Sequence, residues 1–376
     1  MFFSRTNKGE TSTLTVFIES GAIRMGIVLR PSAQAGTPEQ LPTLVYETAR
    51  TFKTGDSPEQ LVSRMLTALA EACVDVTKEA LPHIISRRVA KGAFDSVKFI
   101  YGAPWYLSRG RRITIESEKP TAYSSKALDA LIEEHSADII PELHKDAVRI
   151  ERFATGWSVN GYNVADPTGK EGTRLSLNLF ASAIPVGVKS AVEETVARSF
   201  HAHNTSHHSI ALVASTTLAR TDEKGGSLLF IHISDTMTEL ALVSDDAILD
   251  SITFPEGTAH LHQTWSKKSG RLSHEAPVRA KQTPGEIGMT DSWQAGIGEC
   301  LGALITERGM PERIVVLGDA TIQQQALESV QDISMKIFNQ VVTALSLTES
   351  SFGSSIRVAA GAAPGSPAMR LLTLAE

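Results

Sequence analysis

The sequence has little cysteine and no long apolar run. Its two cysteines, Cys73 and Cys300, lie far apart in segments with helical apolar spacing. This usage is typical of buried thiols in a reducing compartment and argues against a disulfide framework. No apolar run approaches the roughly 18 residues that cross a bilayer, and the start MFFSRTNKGETST turns polar too soon for a signal peptide. We therefore expect a cytoplasmic protein that does not insert into a membrane itself.

Blocks of basic residues are also missing. The net charge is −6, and basic clusters such as SRGRR at 108–112 are short. Because a nucleic-acid surface needs clustered Lys and Arg, we expect no nucleic-acid partner. The chain also has no G-x-S-x-G elbow, no Walker A motif, no dinucleotide fingerprint and no zinc-ligand spacing. These gaps exclude several common enzyme classes.

The hydrophobic pattern indicates an α/β protein. The run LTVFIESGAIRMGIVLR, 14–30, predicts two strands around a tight turn. A helix is predicted after the cap Ser57 and Pro58, where apolar residues recur with helical spacing. The segment 109–203 alternates strands and helices as a compact inserted unit. By contrast, 258–311 is rich in polar residues, Gly and Pro, and its run SKKSGRLSHEAPVRAKQTPGEIGMTD predicts an exposed or partly ordered loop.

Two hairpins, 16–30 and 230–249, share one layout. Each has an apolar strand with a charged residue or an imidazole at its end, a short polar turn and an alternating strand. Their separation along the chain predicts an internal duplication, with two similar α/β lobes facing each other. A cleft between such lobes is a favourable place for a ligand.

The order and spacing of these motifs resemble the actin-like family, and within it the FtsA and PilM branches. In that family the first hairpin is Asp-x-Gly-x-x-Lys, where this chain has ESGAIR at 19–24. The second hairpin is Asp-x-Gly-Gly-Gly-Thr-Thr-Asp, where 232–239 is HISDTMTE. The adenosine motif, an apolar strand ending in Gly-Gly, corresponds to IVVLGDA. The run NGYNVADPTGKEGTRLSLNLF resembles the family's inserted SHS2-type module.

The resemblance implies a two-lobed actin-like α/β fold, of the duplicated ribonuclease H-like type, with an inserted SHS2-like α+β subdomain. The boundaries expected are 12–108 and 204–226 for the first lobe, 109–203 for the inserted subdomain, 227–363 for the second lobe with a reduced 258–311 region, and 364–376 for the tail.

The resemblance also implies a site for ATP and Mg²⁺ between the hairpins, with Glu19 at the metal and Arg24 at the phosphates. The other candidate cofactor-binding residues are Gly21, His232, Ser234, Thr236, Glu239, Glu256, Gly257, Gly318 and Asp319. Several depart from the family pattern. His232 replaces an aspartate and offers Mg²⁺ no oxygen ligand. Ser234 and Asp235 replace glycines that would let phosphate approach backbone N–H groups, and Asp235 adds a negative charge there.

These departures predict weak or absent ATP hydrolysis. The implied function is a cytoplasmic scaffold that binds protein partners of a membrane-attached division or pilus machine. The alternative is an active Mg²⁺-ATPase that forms filaments, with Glu239 or Glu256 orienting a water. The tail is too short for the membrane-binding amphipathic helix that FtsA carries, which favours the PilM branch.

Three features have two interpretations each. HAHNTSHH, 201–208, is either a metal site or, as we expect, a solvated linker. His232 is either a hydrogen-bonded core residue or part of a working site in the cleft. APWYLS, 103–108, is either an aromatic docking patch or packing at a junction of subdomains, and we expect packing.

Overall fold

The computed structural model describes residues 10–31, 41–53, 57–84, 89–143, 145–221, 226–244, 247–283, 285–305, 309–340, 342–352, 355–359 and 366–375. The strands are β1 (Glu10–Ile18), β2 (Ala22–Pro31), β3 (Thr43–Thr51), β4 (Ala93–Tyr101), β5 (Leu107–Ala122), β6 (Ala147–Val159), β7 (Tyr162–Asn163), β8 (Glu171–Pro185), β9 (His201–Ser209), β10 (Leu228–Ile233), β11 (Thr238–Ser244), β12 (Ala247–Phe254), β13 (Arg313–Leu317), β14 (Thr343–Ser346) and β15 (Arg357–Val358). The helices are α1 (Pro58–Asp75), α2 (Ser125–Leu143), α3 (Val186–Ala197), α4 (Ile210–Thr221), α5 (Thr258–Ser269), α6 (Ala276–Gln282), α7 (Asp291–Ile305), α8 (Gln323–Phe338) and α9 (Pro367–Leu374). Most of the polar start of the chain, and the Gly/Pro-rich stretch before α9, lie outside the described residues.

Two sheets repeat one topology. The first has the strand order β15-β3-β2-β1-β4-β9, and the second β12-β11-β10-β13-β14. In each sheet an antiparallel meander of three strands begins in the centre, and the first of these strands also pairs in parallel with a later one. The duplication predicted from the two hairpins is therefore confirmed, and the chain has two α/β lobes.

Helix α4 packs between the lobes. It contacts β4 and β9 of the first sheet and β10, β11 and β12 of the second. Its residues Ile210, Ala211 and Ala214 are buried in a core shared with Phe230 and Val243. The cores are thus continuous beneath the place where the hairpin turns meet.

The tail contains a helix that packs on the first lobe. Met369, Leu371 and Leu372 of α9 are buried, and α9 contacts β2, β3 and α4. The carbonyl oxygen of Ala375, just beyond the helix, accepts hydrogen bonds from Arg30 Nη2 at 2.6 Å and Lys98 Nζ at 2.8 Å. Cationic side chains at a helix C-terminus donate hydrogen bonds to its free carbonyl groups and interact favourably with the helix dipole. The few apolar residues of the tail are therefore core residues.

The exposed or partly ordered loop expected within 258–311 is largely wrong. Helices α5 and α6 occupy much of this region, and a short 3₁₀ turn, Ser273–Glu275, lies between them. Leu261, Trp265 and Ala276 are buried with Trp293 in the core of the second lobe. The polar residues that suggested a loop lie mostly on the outer faces of these short helices. On such faces, polar composition does not distinguish a helix from a loop.

The solvated linker expected at 201–208 is also wrong. The stretch forms β9, which pairs in parallel with β4 from His201↔Ala93 to Ser209↔Tyr101. An edge strand is held by backbone hydrogen bonds and needs few apolar side chains, so its first residues stay polar and exposed. Within the described part of the chain, no group of three or more His, Cys, Asp or Glu residues could hold a metal ion.

The inserted subdomain is a four-stranded antiparallel sheet, β5-β8-β6-β7, with α2 packed on it. It contacts the second lobe where β5 meets β12. Ser108 Oγ lies 2.7 Å from Ser251 Oγ, and Gly110 N donates to Asp250 Oδ1 at 3.0 Å.

In the described ranges, no helix combines the length and apolar character needed to cross a membrane.

Replacing Gly110 with alanine is expected to weaken this contact. A Cβ at Gly110 would overlap the backbone oxygen of Leu249, so β5 and β12 must separate at a cost of about 1–3 kcal/mol. Gly187→Ala is the matched control, because nothing lies within 4 Å of a Cβ added at Gly187. Urea unfolding measures both variants; equal stability of the two would contradict close packing of β5 on β12.

Candidate functional site

The turns of the two matching hairpins touch each other. Glu19, Ser20 and Gly21 join β1 to β2, and residues 234–237 join β10 to β11. Ser20 Oγ lies 2.9 Å from Ser234 Oγ, and the Thr236 amide donates to Ser20 Oγ at 2.8 Å. The lobes are therefore in direct hydrogen-bonded contact at the position where the resemblance implies phosphate binding.

His232 lies at the centre of this contact and is 1% exposed. Its Nε2 is 3.1 Å from Glu19 Oε1, and its Nδ1 is 2.9 Å from Glu239 Oε1. Since a carboxylate can only accept hydrogen bonds, each ring nitrogen facing one must carry a proton. The geometry is that of an imidazolium held between two carboxylates.

Two further contacts extend this arrangement. Arg24 Nε donates to Glu19 Oε2 at 2.8 Å, and the Ala103 amide donates to Glu239 Oε2 at 3.0 Å. We call Arg24, Glu19, His232 and Glu239 the charge network. It consists of two residues from each hairpin and alternates cation and carboxylate.

The network shifts the pKa values of its members in opposite directions. Burial tends to raise the pKa of Glu19, but Arg24 and His232 outweigh it and lower that pKa to about 2. Burial tends to lower the pKa of His232, but hydrogen bonds to Glu19 and Glu239 outweigh it and raise that pKa to about 9. Each buried charge therefore has a partner of opposite sign, which buried charges require.

Two glycines of the site allow close packing, Gly21 between the two hairpins and Gly257 within the second lobe. A Cβ at Gly21 would overlap the Asp235 side chain, and a Cβ at Gly257 would overlap the Ser234 carbonyl oxygen. Asp235 fills the space beside Gly21 with a carboxyl group. Burial raises the pKa of Asp235, as expected for a carboxyl group enclosed by protein.

Besides the residues of the hairpin turns and Gly257, three more predicted site residues lie outside the charge network. Glu256 Oε2 accepts from Ser292 Oγ at 3.0 Å within the second lobe. Asp319 Oδ1 accepts from the amide and the hydroxyl of Thr321 ahead of α8. Gly318 packs against Ile233. Asp319 keeps a long-range effect, because its charge contributes to the raised pKa of Arg24.

Several contributors were not foreseen from the sequence. Ser20 is one of them, and its place between the candidate residues Glu19 and Gly21 was the signal available. Trp105 Nε1 donates to the Glu19 carbonyl oxygen at 2.7 Å, and both Trp105 and Tyr106 are buried. The packing interpretation of APWYLS is therefore confirmed.

The residues present do not fit Mg²⁺-ATP. Both carboxylate oxygens of Glu19 are engaged, one by His232 and one by Arg24. The Thr236 amide, which a phosphate would need, is bonded to Ser20. Asp235 adds a carboxyl group where an anion would have to lie.

Comparison with known proteins supports the fold. No protein-family model and no curated protein matches the chain. A solved PilM-PilN type IV pilus biogenesis complex contains a chain similar in structure, with a TM-score of 0.58, 14% identity, and 92% of this chain and 90% of that one covered. The chain therefore has an actin-like fold that resembles PilM.

Two other solved structures are similar at lower scores. One is a protein of Bacteroides thetaiotaomicron with an actin-like ATPase fold and unknown function, with a TM-score of 0.40, 8% identity and 99% of each chain covered. The other is the ethanolamine utilization protein EutJ from Carboxydothermus hydrogenoformans, with a TM-score of 0.42, 8% identity, and 91% of this chain and 86% of that one covered. At these scores neither carries an argument about function.

Proposed function

We propose that this protein is a PilM-like scaffold that binds partners and does not depend on ATP hydrolysis. The observation that carries this proposal is the direct contact between the two hairpin turns, where Ser20 meets Ser234 and Glu19 meets His232. Side chains fill the space where an actin-like ATPase would need a metal ion and phosphate. A lobed protein with that space filled can still present its outer surfaces to other proteins.

The type of partner is proposed from the structural neighbour. That neighbour belongs to a complex of PilM with PilN in type IV pilus biogenesis. We propose that the partner of this chain is a short cytoplasmic segment of a membrane protein, and that the chain therefore works at the inner face of the cell membrane. A cell-division role and self-association into filaments remain outcomes for experiment.

The partner proposal predicts a phenotype and a binding event. Deleting the gene is expected to abolish pilus assembly while cell division continues normally. The purified protein is expected to bind a peptide of the cytoplasmic segment of the same organism's PilN-like protein in calorimetry, and not its scrambled control. A division defect with intact pili, or equal binding of both peptides, would overturn the pilus role.

The proposal that the scaffold does not depend on ATP predicts that Mg²⁺-ATP neither stabilises the protein nor is hydrolysed by it. A ligand at 100 times its dissociation constant stabilises a protein by about 2.7 kcal/mol, which raises the melting temperature by several degrees. Mg²⁺-ATP at millimolar concentration is expected to leave the melting temperature unchanged and to give no phosphate release. A clear shift accompanied by turnover that Glu19→Ala abolishes would restore the active-ATPase alternative.

A further inference from the structure

Two carboxylates, one from each lobe, converge on a single imidazole. Glu19 follows β1 in the first lobe, and Glu239 lies on β11 in the second. Their Oε1 atoms lie 3.1 and 2.9 Å from the two nitrogens of His232. Without a cation between them, two buried carboxylates would repel each other and oppose closure of the lobes.

We propose that His232 is a built-in cation that holds the two lobes closed, so that closure requires neither a metal ion nor a nucleotide. The proposal rests on the same hairpin contact as the scaffold function but not on the pilus partner. Loss of partner binding would therefore leave it intact.

The imidazole is held rigidly in this position. The ring of Phe230, on the same strand, lies parallel to it at a centroid distance of 6.5 Å, and the ring of Phe17, from the first lobe, lies at 5.7 Å. Gly102 lies beside the ring, and a Cβ there would be in ordinary van der Waals contact with His232 Cε1 at 3.4 Å. Phe230 and Glu239 belong to the same lobe as His232, so they fix the ring before the lobes meet and the cation loses little freedom on closure.

Two hydrogen bonds from backbone amides also join the lobes near His232. The Ala103 amide of the first lobe donates to Glu239 of the second at 3.0 Å. The Thr236 amide of the second lobe donates to Ser20 of the first at 2.8 Å. Because each of these amides is protected only while the lobes touch, their hydrogen exchange reports closure directly.

The first test removes the charge and keeps the approximate size. His232→Gln has a neutral amide that cannot donate to both carboxylates from the ring positions. Hydrogen exchange of peptides containing Ala103 and Thr236 is expected to become about tenfold faster or more, since Glu19 and Glu239 would lose the cation between them and a buried carboxylate that loses a hydrogen-bond partner disfavours the closed state by about that factor.

A buried histidine elsewhere supplies the matched control. His207 is bonded to Tyr101 Oη at 2.9 Å and to Glu193 Oε1 at 2.8 Å, without contact to the second hairpin. His207→Gln is expected to leave exchange at Thr236 unchanged. If His232→Gln and His207→Gln affect Thr236 equally, His232 has no special role in closure and the proposal fails.

The second test exchanges the built-in cation for a metal-dependent site. His232→Asp would place three carboxylates together, the oxygen-rich arrangement that Mg²⁺ and Mn²⁺ prefer. This variant is expected to exchange rapidly at Ala103 and Thr236 in EDTA and to regain slow exchange with millimolar Mn²⁺. If added metal leaves its exchange rapid, the carboxylates do not converge on a cation position.

The wild-type protein decides the question even if both variants fail to fold. Its exchange at Ala103 and Thr236 is expected to be identical in EDTA, in Mg²⁺ and in Mg²⁺-ATP. Slower exchange in either Mg²⁺ condition would show that closure depends on an external ligand, and it would overturn the proposal.

Discussion

Glu19→Ala is expected to lower the free energy of unfolding by about 3–5 kcal/mol, the cost of removing one partner from a buried ion pair. Both carboxylate oxygens of Glu19 are used, by Arg24 at 2.8 Å and by His232 at 3.1 Å. The variant would leave the His232 ring, 1% exposed, with one carboxylate partner instead of two. Urea or guanidinium unfolding measures the loss.

An exposed glutamate and a double-mutant cycle control this experiment. Glu118 on β5 is exposed, so Glu118→Ala is expected to change stability by no more than about 0.5 kcal/mol. In the cycle of Glu19→Ala with His232→Ala, the two losses are expected to be non-additive by about 0.5–3 kcal/mol, as for residues in one network. Additive losses would show that Glu19 and His232 do not interact energetically.

Glu151→Ala is expected to cost about 3 kcal/mol or more, because several buried donors would lose their acceptor at about 1–3 kcal/mol each. Glu151 lies on β6 of the inserted subdomain. Its carboxylate accepts from Ser182 Oγ at 2.6 Å, and from the amide and hydroxyl of Ser209 at 2.9 and 2.6 Å. Since Ser209 Oγ also accepts the Leu212 amide in the first turn of α4, the start of that helix would be weakened.

Two variants distinguish this role from a general effect of charge. Glu133 in the same subdomain forms exposed ion pairs with Arg149 and Arg152, and Glu133→Ala is expected to cost no more than about 1 kcal/mol. Glu151→Gln keeps one acceptor oxygen and should lose less than Glu151→Ala. Limited proteolysis should cut near the β9–α4 junction only in the Glu151 variants. An equal loss of unfolding free energy in Glu133→Ala would show that the buried hydrogen bonds of Glu151 have no special role.

The actin-like fold of this chain carries, at its hairpin turns, side chains that differ from the nucleotide-binding pattern of the family it resembles. Each hairpin is a regular antiparallel pair, and the two turns are in hydrogen-bond contact. At their turns, serines and a histidine replace the residue types that would hold metal and phosphate. Since function depends on such sites more than on the fold, the same framework can be held together by its own charges.

Local sequence patterns were enough to predict much of the secondary structure and the division of the chain into lobes and an inserted subdomain. The strands of both hairpins, the inserted subdomain and the first long helix were recognised because apolar periodicity depends on neighbours in sequence. The weakness of the nucleotide motifs was also visible, because glycine and aspartate have roles that serine and histidine cannot take. These inferences needed residue types and spacing only.

The errors share a physical cause. The polar β9 was mistaken for a linker because an edge strand is held by backbone bonds to β4, which the side-chain pattern does not show. Helices α5 and α6 were mistaken for a loop because their few buried residues, such as Trp265, pack against residues distant in the chain. In both places tertiary contacts override local composition.

The sequence by itself therefore determined the duplicated lobes, the inserted unit and the loss of the residue types that bind Mg²⁺-ATP. Only the tertiary structure decided which side chains meet between the two hairpins. Glu19 and His232 are 213 residues apart in the chain, so no local pattern could show that their side chains meet. A buried charge destabilises the fold when it has no partner. It can join two lobes when packing brings a group of opposite charge within hydrogen-bond distance.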